Sequence, residues 1–112
     1  MAAAIPQGTT IRLMIGDRDK AIAAAKTAAG VAREQLGGAT PKFILMFNCM
    51  ARNKLLGMHC HEENHEVSQT IGADVPMVGF YTYGEQGPLF GKKGTPAYFH
   101  NETMTLLVVG EK

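Results

Sequence analysis

The run KFILMFN at residues 42–48, directly after Pro41, constrains the fold more than any other segment of the chain. Five consecutive apolar residues at strand length, without polar alternation, are typical of a strand covered on both faces. The run therefore predicts a central strand in a layered α/β domain.

Two helical regions flank this strand in the sequence. Asp17 is a suitable N-cap for an alanine-rich helix that ends at Leu36, before two glycines. A second helical region is predicted over about residues 50–71, with a possible break at Gly57 and an end at Gly72.

Three further strands are predicted. Residues 9–16 alternate apolar and other side chains, residues 75–85 form a third strand, and a long last strand begins at residue 97. The glycine-rich segment 84–96 is interpreted as a long irregular loop. The order is β-α-β-α-β-β, which predicts an α/β sandwich with a mixed sheet of four strands and two helical regions.

The length and net charge of the chain limit the number of domains and the classes of partner that it can bind. The chain of 112 residues is long enough for one domain, which we place at residues 9–112 after a disordered or expression-derived start at 1–8. Eleven basic and ten acidic side chains give a formal charge of +1, which argues against nucleic-acid or membrane partners. The two cysteines, in no CxxC pair, fit a reducing compartment, so a cytoplasmic location is expected.

The string HEENH at residues 61–65 has the letter pattern of a zinc-protease helix, in which His61 and His65 would share a metal and Glu62 would act as general base. His59 adds a nearby nitrogen, and Glu85 is the best candidate for a third ligand, although it ends a predicted strand. The competing interpretation is a solvated outer helix face. We therefore expect no metal and no cofactor, and a small zinc hydrolase remains an alternative.

The end of the apolar strand is the other candidate site, because ligands in open α/β sheets bind at the carboxyl ends of strands. Cys49 and Arg52 lie at this strand-to-helix junction. The Cys49 thiol is either an activated nucleophile or a small buried hydrophobe. Arg52 offers a fork for a carboxylate and Glu85 an acceptor for an ammonium group, so together they would hold a zwitterion; alternatively, the two pair with each other.

The stretches FNCMARNKLLG, EEN, VPMVGFYTYGEQGPL and FHNETMTLLVV resemble the C-terminal domain of the FIST family, from about residue 41 to the end of the chain. The resemblance implies a noncatalytic sensory domain of intracellular signal transduction that binds a small metabolite such as an amino acid and acts on a partner signalling domain or protein. The ligand-binding positions it implies are Cys49, Arg52, Glu63, Gly84, Glu85, Asn101 and Thr103. A structural domain that forms a homo-oligomer through an edge strand is the third hypothesis.

Overall fold

The structure is a computed structural model that describes residues 4–92 and 94–112. Lys93, within the segment predicted as a loop, lies outside the described residues.

The predicted helices are present. Helix α1 (Arg18–Gln35) is capped by Asp17, whose carboxylate accepts a hydrogen bond from the Lys20 backbone N–H at 2.8 Å. The second helical region divides into α2 (Met50–Leu56), a short 3-10 turn and α3 (Cys60–Ile71). The break falls at Gly57, which has a φ of 56°. A positive φ of this kind is readily adopted by glycine, so the predicted interruption has a local cause.

The main sheet has three strands rather than four. Strand β1 (Thr40–Cys49) lies at its centre, parallel to β2 (Met77–Thr82) and antiparallel to β5 (Met104–Glu111). The predicted strand at 9–16 is wrong: in the described structure these residues are exposed and pair with no strand. A strand forms only where its backbone finds a partner, and apolar alternation alone cannot supply one.

A second sheet of two strands explains the remaining differences between the predicted and the observed strands. Strands β3 (Glu85–Pro88) and β4 (Ala97–His100) form an antiparallel pair, so the predicted loop at 84–96 is partly a hairpin. The predicted last strand divides in two because Glu102 adopts a φ of 60°, and left-handed backbone cannot continue an extended strand.

The core lies between the main sheet and the helices α1 and α3. It consists of Ala25, Ala29, Ile44, Met46, Val67 and Ile71. The small side chains of α1 bring that helix close to the sheet, and the β1-to-β2 connection through α2 and α3 forms a parallel crossover. This crossover positions the carboxyl ends of β1 and β2 beside α3.

Candidate functional site

A buried ion pair joins the two helices that follow β1. Arg52 on α2 donates to Glu63 on α3, with Nε at 2.8 Å from Oε1 and Nη2 also in contact, and to the carbonyl oxygen of Ala21 at 2.8 Å. Glu63 is fully buried, and its other carboxylate oxygen accepts a hydrogen bond from Asn48 Nδ2 at 2.7 Å. Arg52 is therefore held by Glu63 and does not pair with Glu85.

Glu85 lies in a separate buried cluster. Its carboxylate accepts hydrogen bonds from the hydroxyl of Thr82 at 2.5 Å and the hydroxyl of Thr103 at 3.1 Å. The Cys49 backbone N–H donates to the Thr103 carbonyl at 2.9 Å, which fixes β1 to the start of β5. None of the ion pairs among the described residues involves Glu85. Among the residues that the structure describes, the side-chain donors to the buried Glu85 are thus two neutral hydroxyl groups.

The structure therefore places the seven predicted site residues in different surroundings. Arg52 and Glu63 meet directly, and the backbone of Cys49 and the side chains of Glu85 and Thr103 form the second cluster. Gly84 precedes Glu85 and lies against the ring of Phe99. Asn101 is half-buried in the turn before β5, and no hydrogen bond of its side chain to either cluster is found among the described residues.

A pocket of about 320 Å³ opens along strand β2, beside the last residues of β1 and helix α3. Its polar lining consists of Asn48, Asn64 and Tyr81, and its apolar lining includes Met46 and Met77. Sequence reasoning did not find this site. The available signals were a polar residue ending the apolar strand and an asparagine within the core-facing stripe of α3.

Three residues that line this pocket each carry a buried polar atom without a hydrogen-bond partner among the described residues: the Asn48 Oδ1, the Asn64 Oδ1 and the Tyr81 hydroxyl. The Asn48 amide orientation is set by its neighbour, because rotating it would place an oxygen against the Glu63 carboxylate. Its Oδ1 therefore presents an acceptor. Buried polar groups are rarely left unpaired, so three of them beside one pocket make this pocket the candidate site.

The HEENH segment does not assemble a metal site. His61 and His65 are exposed, and the His61 ring contacts the Met58 carbonyl oxygen at 2.9 Å. Within residues 4–92 and 94–112 no group of three or more histidine, cysteine or acidic side chains could hold a metal ion. A hydrogen bond from His59 Nδ1 at 2.6 Å lowers the pKa of the Glu62 carboxyl. Glu62 is thus engaged by an imidazole on its own helical turn.

The family model of the FIST C domain matches residues 1–88 of the chain. The chain belongs to the FIST C family. This family consists of sensory domains of signal transduction. The match includes the N-terminal residues that the motif resemblance left out, and it ends before the FHNETMTLLVV stretch. The chain matches no curated protein and no solved structure.

No described helix of this FIST C domain has the length and apolar character that crossing a bilayer requires.

Proposed function

We propose that this FIST C domain is a noncatalytic sensory module that binds a small polar metabolite carrying an amino group, with free amino acids as the first candidates. The proposal is carried by the three unpaired polar atoms that lie buried beside the pocket, on residues that line it. Two amide oxygens are acceptors, and the Tyr81 hydroxyl can accept as well as donate. An ammonium group supplies three donors and no acceptor, which complements this set.

The surroundings of the pocket support the same ligand class. Its volume of about 320 Å³ is at the small end of the range for small-molecule sites. Met46 and Met77 give it a flexible apolar wall that accommodates a side chain of the ligand. Arg52, fully engaged in the neighbouring buried pair, acts as a structural support rather than as the carboxylate fork proposed from the sequence.

Binding would act on a partner signalling domain through a shift in conformational populations. Asn48 connects the pocket to the buried pair through Glu63, and Glu63 through Arg52 contacts the first turn of α1. A ligand that fixes the Asn48 amide therefore stabilises one arrangement of β1, α1 and α3. This chain of contacts is the proposed route from the pocket to the rest of the domain.

Thermal unfolding in the presence of amino acids tests the proposal. A ligand that binds only the folded state stabilises it by about 2.7 kcal/mol at a hundred times its Kd, so a cognate amino acid should raise the Tm in a concentration-dependent manner. The matched analogue without the amino group should give no shift. If no amino acid or small amine raises the Tm, or if the analogues without an amino group act equally, ordered water fills the pocket and the proposal is wrong.

A pair of tyrosine variants identifies the site. Tyr81→Phe removes an unpaired buried hydroxyl, so the free protein should keep its stability or gain slightly, whereas ligand affinity should fall by about tenfold to a hundredfold. Tyr83, two residues along the chain, is 83% exposed, so Tyr83→Phe is the matched control and should leave both properties unchanged. Equal affinities in the two variants would place the ligand elsewhere.

A further inference from the structure

One face of the main sheet is apolar and not covered by the helices. Side chains of β1 alternate, so that Ile44 and Met46 enter the core while their neighbours point to the opposite side. The strand register places apolar residues of β2 and β5 on that same side. We call this surface the open face; it consists of Phe43, Leu45, Phe47, Val78, Phe80, Leu107 and Val109.

Four of the seven side chains of the open face are exposed to solvent, and Phe43, Leu45 and Phe47 are half-buried. Phe80 is 65% exposed, Leu107 55% and Val78 54%. The molecule extends only 19 Å along its shortest principal axis, which corresponds to one layer of helices on one sheet. The run FILMF has the composition of a strand covered on both faces, but the described residues cover β1 by helices on one face only.

The size and chemistry of the open face indicate an interface. Four exposed and three half-buried apolar side chains leave on the order of 500 Å² of apolar surface in water, which is near the upper limit for the largest patch of a monomeric protein. The seven residues of the open face are uncharged, and Glu111, which the same alternation places beyond Val109 at its edge, is paired with Lys42 at 3.0 Å. A surface without charges offers nothing that would select an acidic peptide, a basic peptide or a lipid headgroup.

We propose that the open face is the contact surface of a homodimer, in which a second copy of the chain packs its own open face against the first around a two-fold axis. Sheets pack face to face at about 10 Å, and an uncharged apolar surface complements itself without positioning like charges opposite each other. Two copies would bury about 1,000 Å², slightly below the range of stable interfaces. The dimer is therefore weak and depends on protein concentration.

This inference does not rest on the proposed ligand. Sedimentation equilibrium on the ligand-free chain tests it, from low micromolar concentration to about five hundred times higher, a range in which an interface of this size associates. Leu107→Glu places a charge in both halves of the interface and should weaken dimerisation by about a hundredfold or more. Leu107 does not line the pocket, so this variant leaves the ligand site intact.

Met58→Glu is the matched control, since Met58 is 91% exposed and outside the open face, and it should dimerise as the unmodified chain does. Val109→Glu repeats the test at a second position, with circular dichroism confirming that each variant is folded. A chain that stays monomeric throughout overturns the proposal. A dimer that survives both open-face substitutions but is lost in Leu13→Glu also overturns it, because the contact would then be made by the exposed N-terminal segment.

Discussion

Breaking the buried pair between Arg52 and Glu63 should be the most damaging single change to the domain. Arg52→Met leaves the Glu63 carboxylate, which is 0% exposed, with the Asn48 amide as its remaining partner among the described contacts. Removing one member of a buried ion pair costs about 3–5 kcal/mol, because the desolvation of the other charge is no longer offset. Domains of this size have total stabilities of about 5–15 kcal/mol, so the loss is a large fraction.

A double variant separates the charge effect from packing. In Arg52→Met/Glu63→Leu the buried charge is absent, and an apolar pair of similar volume is often no less stable than the ion pair it replaces. Asn48 then loses its acceptor, which costs about 1–3 kcal/mol. The double variant should therefore be more stable than Arg52→Met alone, with a coupling energy of about 2 kcal/mol between the two sites.

Urea unfolding followed by far-UV circular dichroism measures both effects. Lys26→Met is the matched control, because Lys26 pairs with Glu66 at 3.0 Å while its side chain is 65% exposed. Exposed pairs contribute about 0–1 kcal/mol, so this variant should be close to the unmodified protein. The reasoning fails if Arg52→Met lowers the free energy of unfolding no more than Lys26→Met does. It also fails if the losses measured separately in Arg52→Met and Glu63→Leu add up to the loss in the double variant.

Three further predictions concern the backbone and the surface. Gly79→Ala should destabilise the domain strongly, because a Cβ at Gly79 would overlap the carbonyl oxygen of Met46 on the neighbouring strand; urea unfolding measures the loss, and an unchanged midpoint would contradict it. Gly30→Ala, in an open position of α1, should instead stabilise by about 0.5–1 kcal/mol in the same assay, and a loss of stability would contradict this. The pKa of Glu62, measured by NMR titration of its carboxyl carbon, should lie below 4.5 and return towards that value in His59→Ala. Because its folded-state pKa is lowered, Glu62 adds stability above its ordinary pKa, and this is lost as the pH falls through the lowered value; an identical pKa in His59→Ala would refute the pairing.

The helix ends and the helix break, which short sequence motifs specify, were predicted correctly. Asp17 caps α1 as expected, and Gly57 and Gly72 lie at the predicted break and end of the second helical region. These features depend on residues within one turn of each other, which sequence patterns report directly. The strand at 9–16 failed because strand formation depends on a partner elsewhere in the chain.

The candidate site was predicted only in part, for a related reason. Arg52 and Glu85 carry suitable charges, but which carboxylate meets a guanidinium depends on how α2 and α3 pack, and the partner is Glu63. The pocket escaped prediction because its diagnostic property is the lack of a partner. An unpaired Asn64 or Tyr81 atom can be recognised only after every other contact in its surroundings is known.

The pocket and the open face share strand β2, and this arrangement predicts coupling between them. Gly79 and Tyr81 line the pocket, whereas Val78 and Phe80 also belong to the open face. If a ligand fixes β2 in the arrangement that the dimer requires, linkage demands that dimerisation raise ligand affinity by the same factor, typically about 5- to 150-fold. Ligand affinity of the unmodified chain should then increase with protein concentration, while that of Leu107→Glu stays at the monomer value. If the ligand affinity is the same at every protein concentration in both proteins, ligand binding and dimerisation are not coupled through β2.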